Sequence, residues 1–345
     1  MIIVDIQDDV FQNNNLFKSS LWSRYIGTEL WGRLYEACND KNIEIITGDY
    51  ALNKYSDLSN YSLISNEITT RTRELIKRGA KPNILISGES PIFAWDFYIN
   101  LNKHGKLFNK LMLPKGVVKF APELASKIHQ TSFPLPANIC RNIQSYDKWA
   151  KRSRLCVIIS NRVWRPRGFK HLYNIIKNPL IGASLYEKRN RAIIDLNKAG
   201  TVDLYGRGWN KYVVGGNVFN YRKLKNIWKG ELDVKDNSMS KYKFSICYEN
   251  TDFPGYLTEK IFDSLAAGTI PIYYGSDYVE EILPKELYIN VKKFKNICDI
   301  SNYINKFNAD DYQVFYDALI KFCDSEIFKM NTYKARAEQL LKICD

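Results

Sequence analysis

Short apolar runs recur along the chain, separated by longer amphipathic stretches. Ile2–Ile6, Ile43–Thr47, Ile84–Ser87, Leu155–Ser160, Val202–Tyr205, Phe244–Tyr248, Ile270–Tyr274 and Tyr288–Val291 are rich in β-branched residues and bounded by Gly, Asn, Asp or Pro. That pattern predicts strands. Apolar positions at helical spacing predict helices over roughly Leu21–Cys38, Glu67–Arg78, Phe93–Asn102, Leu185–Ala199, Glu259–Ala267 and Ile300–Phe307. Strands alternating with helices are the pattern of parallel sheets covered by helices, an α/β fold. Two helix ends carry local signals. Ser184 and Glu187 read as a capping box. Thr258 before Glu259 and Gly268 after Ala267 read as an N-cap and a C′ glycine.

Residues 104–154 break the alternation. They hold Pro114, Pro122, Pro134 and Pro136, then the basic stretch Lys148–Arg154. The junction between two α/β domains is therefore expected near 145–154, giving residues 1–150, 151–325 and a C-terminal helix over 326–345. Two such domains enclose a cleft, and ligands bind beyond the carboxyl ends of the strands. The segments after Ser87, Ser160 and Tyr248 are thus the places for chemistry. The tail helix sets Lys334, Arg336 and Lys342 against Leu340, Leu341 and Ile343. It is read as packing across the two domains or touching a membrane surface.

Composition narrows the classes. The 345 residues are 45% hydrophobic and 25% charged, which excludes wholesale disorder. Fifty Lys and Arg against 37 Asp and Glu leave a net charge of +13, suited to nucleic acid, acidic membranes or phosphorylated small molecules. The charge is spread along the chain, and no zinc finger, RNP1 pattern or basic helix appears, so nucleic acid is not an expected partner. No apolar run is long enough to span a bilayer. The start, Met1–Asp9, turns acidic early and lacks the pattern of a signal peptide. Seven cysteines stand at 38, 140, 156, 247, 298, 323 and 344 without a CxxC. They are expected to be reduced thiols, and the protein cytoplasmic, with peripheral contact to the inner face of a membrane as an option. Three scattered histidines give no metal pattern.

The densest chemistry lies in Tyr242–Gly275, read as strand, polar loop, helix and strand. The strand ends in Glu249-Asn250, the loop carries Pro254-Gly255-Tyr256, and the helix opens with Thr258-Glu259-Lys260. Lys260 in a first helical turn opposes the helix dipole. It is either a solvated surface lysine or a group that meets an anion. Arg189 and Arg191 lie on the helix after Ser184. Arg191 is placed to pair with Glu187 one turn back, whereas Arg189 has no such partner. Glu89, in Leu85-Ile-Ser-Gly-Glu89-Ser-Pro91, follows an apolar run. It is either a loop carboxylate capping the next helix or a cleft-facing base.

These segments resemble the α1,3-fucosyltransferases, glycosyltransferase family ten. The resemblance runs through Tyr248-Glu249-Asn250, Tyr256-Leu257-Thr258-Glu259-Lys260, Ala267-Gly268-Thr269-Ile270-Pro271-Ile272 and Gly275. Tyr248 and Leu257 replace the family's usual Phe and Ile or Val. Val157–Asn161, Tyr186–Leu196, Val202–Gly206 and Trp228–Gly230 are similar to further family elements, so the likeness covers about residues 155–295. In the first half it rests on Glu89-Ser90-Pro91 alone.

The resemblance implies two Rossmann-like domains facing across a cleft, of GT-B type, with the acceptor on the first and a GDP-sugar donor on the second. It implies inverting, metal-independent transfer of L-fucose from GDP-fucose to an acceptor glycan, to O3 of N-acetylglucosamine or a similar sugar, with no cofactor. Glu89 would be the general base. Arg189 and Lys260 would stabilise the departing diphosphate, and Glu249, Asn250, Tyr256 and Glu259 would complete the donor site. Two alternatives stand beside this: a transferase using another GDP-deoxysugar, and a non-catalytic nucleotide- or glycan-binding protein.

Overall fold

The computed structural model describes residues 1–22, 25, 27–141, 144–232 and 238–344. The first half runs β1 (Ile2–Asp5), α1 (Thr28–Asn39), β2 (Ile45–Thr47), α2 (Gly48–Lys54), β3 (Ser62–Ser65), α3 (Thr70–Lys77), β4 (Lys81–Ile86), α4 (Trp95–Ile99), α5 (Leu101–Gly105), β5 (Lys110–Leu113) and β6 (Ile128–Gln130). Its sheet is parallel throughout, in the order β2-β1-β3-β4-β5-β6. The second half runs α6 (Tyr146–Ala150), β7 (Ser153–Ile158), α7 (Gly168–Lys177), α8 (Tyr186–Lys198), β8 (Val202–Tyr205), α9 (Val218–Ile227) and β9 (Tyr242–Tyr248). It continues with α10 (Glu259–Ala266), β10 (Ile270–Tyr274), α11 (Val279–Ile282), β11 (Ile289–Asn290), α12 (Ile297–Lys306) and α13 (Ala309–Asp324). The second sheet is also parallel, in the order β11-β10-β9-β7-β8. The chain is thus two parallel-sheet α/β domains.

Central strands are apolar on both faces because helices cover both: Ile2, Ile3, Val4 and Asp5 are all buried. Strands β3, β5 and β6 were not expected. β3 and β5 are four residues with a polar first residue, and β6 is a three-residue strand with exposed His129. Helix α1 begins at Thr28, not Leu21, because Gly27 at φ +82° turns the chain just before it. Helix α8 begins at Tyr186. Its expected capping box does not form: Leu185 stands at the N-cap, Ser184 Oγ accepts from the Tyr186 N–H at 3.2 Å, and Glu187 accepts from Asn220 Nδ2.

The domains interlock. The loop after β9 drives Phe253 into the first domain, where its ring lies 5.9 Å from Phe120 and 6.1 Å from Tyr98. The Gly116 N–H donates to the Pro254 carbonyl at 2.9 Å, and Gln130 Nε2 donates to the Gly255 carbonyl at 2.9 Å. Backbones approach this closely only because Gly116 and Gly255 lack side chains.

The tail returns to the first domain. Residues Glu326–Asn331 form α14 and Tyr333–Cys344 form α15. Ala337, Leu340 and Leu341 of α15 are buried with Leu30, Trp31 and Leu34 of α1. The apolar face, expected to pack across the two domains or else to touch a membrane surface, is covered by the first domain. The cysteines also depart from expectation. Cys140 and Cys323 form a disulfide across 183 residues of sequence, because α13 packs against the turn Ala137–Cys140. Cys38, Cys156, Cys247, Cys298 and Cys344 form no disulfide.

Gly255 at φ +83° would place a Cβ 2.3 Å from Gln130 Oε1 and 2.7 Å from the Lys115 backbone nitrogen. Gly255→Ala should therefore lower stability by about 2 kcal/mol or more, read as a reduced urea midpoint. An unchanged midpoint would show that the domains meet differently.

Candidate active site

In the second sheet the strand order reverses between β7 and β9, the point where open α/β sheets leave a crevice at their carboxyl ends. Glu249 and Asn250 follow β9 directly. Glu249 is fully buried. Its Oε1 accepts the Thr258 N–H at 2.8 Å, and its Oε2 accepts the Thr258 hydroxyl at 2.7 Å and Lys260 Nζ at 3.1 Å. Thr258 therefore does not cap α10 with its side chain, contrary to the local rule. A buried carboxylate left without donors costs more than a helix end without a cap. Glu249 is enclosed, and its carboxylate oxygens are taken up by Thr258 and Lys260.

Lys260 also donates to Thr258 Oγ1 at 2.8 Å and lies 3.8 Å from Glu259 Oε1. Burial alone would lower its pKa; the carboxylates of Glu249 and Glu259 outweigh that and hold it above the usual lysine range. The conflict with the helix dipole is thus resolved by an internal counter-ion. The ammonium is bonded to Glu249 and Thr258, with Glu259 as a more distant partner.

Arg189 differs. It sits on α8 with 3% exposure. Its guanidinium carbon lies 4.8 Å from the centre of the Tyr186 ring, and its Nε has no hydrogen-bond partner among the described residues. Desolvation is the main cause that pushes its pKa down to about 10; Tyr186 and Glu249 oppose this and Arg162 adds to it. It remains a cation at neutral pH, held out of water. Arg191, by contrast, is exposed, 3.8 Å from Glu187 in an i,i+4 pair, which is worth only about 0.3–0.5 kcal/mol.

Arg162, just beyond β7, is a third cation that the sequence pattern did not single out. Its guanidinium lies 5.3 Å from the centre of the Phe93 ring, and its charge acts on Glu89, Tyr186 and Arg189. A basic residue at the end of Leu155–Ser160 was the available signal; knowing that β7 lies beside β9 was the missing part.

Glu89 comes from the first domain, three residues past β4. Its N–H donates to Ser87 Oγ at 3.3 Å, and its carbonyl accepts the Tyr98 hydroxyl at 2.6 Å. It caps no helix, since the residue before α4 is Ala94. Its side chain reaches solvent, yet surrounding protein raises its pKa, first by desolvation and then through the charge of Glu259, against the pull of Lys260 and Arg162. Those three residues belong to the second domain, so both domains contribute to one electrostatic site. Glu67 is a second carboxyl on the first domain, missed from sequence. Its pKa is raised by burial and then by Glu89 and Asp5. Asn250 Nδ2 donates to the Tyr256 hydroxyl at 3.4 Å. Tyr256 is buried, and burial followed by the charge of Glu249, Glu259 and Glu89 raises its phenol well above the ordinary value. The structure thus gathers Glu89, Arg189, Glu249, Asn250, Tyr256, Glu259 and Lys260 into one neighbourhood and adds Arg162.

Known proteins resemble this chain in sequence and in fold. Residues 182–345 match the family described as glycosyltransferase family 10 (fucosyltransferase) C-term. An alpha-(1,3)-fucosyltransferase, FucT, of Helicobacter pylori is 44% identical over 81 residues, 24% of this chain and 17% of that protein. An alpha-(1,4)-fucosyltransferase of Arabidopsis thaliana is 36% identical over 73 residues, 21% of this chain and 18% of that protein. Human GDP-fucose protein O-fucosyltransferase 3 is 30% identical over 102 residues, 29% of this chain and 21% of that protein. The matched stretch thus spans about a fifth of these relatives. In fold, the whole chain superposes on a crystal structure of an alpha1,3-fucosyltransferase with GDP, covering 90% of it at a TM-score of 0.52 and 18% identity. Anabaena Alr3699/HepE in complex with UDP gives a TM-score of 0.59 at 11% identity, covering 99% of this chain and 98% of that one. The two-domain arrangement is the GT-B fold. Residues 182–345 are thus similar to the C-terminal part of the glycosyltransferase family 10 enzymes, the fucosyltransferases.

Proposed function

We propose that the protein is a metal-independent inverting fucosyltransferase that moves L-fucose from GDP-fucose to a hydroxyl of an acceptor glycan, O3 of N-acetylglucosamine or a similar sugar. The observation that carries this is Arg189: a buried cation that bonds to no carboxylate among the described residues, within the stretch that matches the family 10 model. A nucleoside diphosphate supplies the missing negative charge. The names of the relatives support a fucose donor carried on GDP.

In this reading Glu89 removes the proton of the acceptor hydroxyl. The freed oxygen bonds to C1 of fucose from the face opposite the diphosphate, and the C1–O bond to phosphate breaks with its electron pair leaving on GDP. Arg189, Lys260 and Arg162 take up that charge. Asn250, Tyr256 and Glu259 hold donor hydroxyls, and Glu249 fixes Lys260. The raised pKa of Glu89 makes it a stronger base than an ordinary carboxylate. A protein acceptor is the second reading, favoured by the likeness to the protein O-fucosyltransferase.

Incubation with GDP-fucose and an acceptor array should yield a fucosylated product and free GDP. A preference for a UDP-sugar, or no transfer from any GDP-sugar, would overturn the reading. Glu89→Gln should lower kcat by about 10²–10⁴-fold and leave GDP affinity unchanged; retained transfer would remove Glu89 from the chemistry. The base must be ionised to act, so activity should fall on the acid side, with the midpoint above the ordinary glutamate value of about 4.3. That midpoint should track the raised carboxyl of Glu89; a kcat/KM profile flat through that region contradicts it. Lys260→Ala should weaken GDP binding about tenfold or more, measured by calorimetry.

A further inference from the structure

Helix α7 carries a largely exposed apolar face, touched by Lys177, whose Nζ lies 4.5 Å from the centre of the Tyr173 ring. Phe169, Leu172, Tyr173 and Ile176 recur at i, i+3, i+4 and i+7 and are 93%, 43%, 56% and 73% exposed. The helix cannot roll to hide them. On its opposite side His171 is fully buried and stacks on Trp95 of α4 with ring centres 4.4 Å apart. Lys170 Nζ lies 3.1 Å from Asp96. Soluble surfaces rarely leave so many large apolar side chains contiguous and exposed unless they meet a partner.

The surrounding charge identifies the partner. Residues 162–186 contain Arg162, Arg165, Arg167, Lys170 and Lys177 and no Asp or Glu. Arg165 holds the neighbouring loop through the Val214 carbonyl at 3.5 Å, and that loop exposes Val214 at its tip. Large apolar groups bordered by cations suit the boundary between headgroups and acyl chains of an anionic bilayer. A second copy would bring the same cations against each other. The tail helix α15 does not compete for this role, since its apolar residues are packed on α1.

We propose that α7 is an interfacial anchor that seats the protein on an anionic lipid surface, Phe169 and Ile176 entering the acyl boundary and Arg167 and Lys177 meeting lipid phosphates. This contact requires no assumption about the reaction.

Flotation of the full chain with vesicles tests it without donor or acceptor. Binding to mixed phosphatidylcholine and phosphatidylglycerol vesicles, weakened by salt and absent with phosphatidylcholine alone, is expected. Phe169→Ser with Ile176→Ser should lower partitioning about tenfold or more, and Arg167→Glu with Lys177→Glu by a comparable factor. All four side chains are exposed, and unchanged thermal unfolding of both variants verifies the fold. Failure to bind either vesicle overturns the proposal, as does binding that survives both double variants. Self-association abolished by Phe169→Ser with Ile176→Ser, without vesicle binding, overturns it in favour of a second copy.

Discussion

A buried guanidinium that bonds to no carboxylate among the described residues is the constraint around which the site is organised. Arg189 is desolvated by α8 and its neighbours, and no carboxylate bonds to it among the described residues. Such a charge is unfavourable in isolation. The fold retains it while providing Lys260 nearby with a counter-ion of its own, Glu249. One cation is neutralised in advance and the other is left unpaired. A purely structural pair would have joined an acid to each.

That asymmetry explains the packing beneath. Glu249 needs donors on both oxygens and takes Thr258 from its capping role to obtain them. This fixes the start of α10 against the end of β9 and aims Lys260 back at the crevice. The loop between them is anchored by Phe253 inside the other domain and by close backbone contact at Gly116 and Gly255. The same stretch of chain therefore shapes the cationic half of the site and sets the distance to Glu89 across the cleft.

What was legible in the sequence follows the range of the interactions. The segment Tyr242–Gly275 reads directly, because strand, loop and helix are consecutive and β10 spans Ile270–Tyr274 as its pattern predicts. Gly268 at φ +65° ends its helix as expected. Arg162 was hidden because its place depends on β7 lying beside β9, a pairing between segments some ninety residues apart. The Cys140–Cys323 bond was hidden for the same reason. Thr258 stands at the N-cap as its pattern predicts, but its hydroxyl turns to Glu249, because a local capping rule cannot know that a buried acid competes for it. The first domain's site was thinnest: Glu89 stood out on three residues, and Glu67 gave no signal until the fold set it near Glu89.

The most direct test of the unpaired cation is Arg189→Met, measured for thermal stability without ligand and for GDP affinity. A guanidinium kept for a ligand predicts opposite effects: stability held or raised once the buried charge is gone, and affinity for GDP lost by about tenfold or more. If stability falls and GDP binds as before, Arg189 serves the fold alone and the account is contradicted.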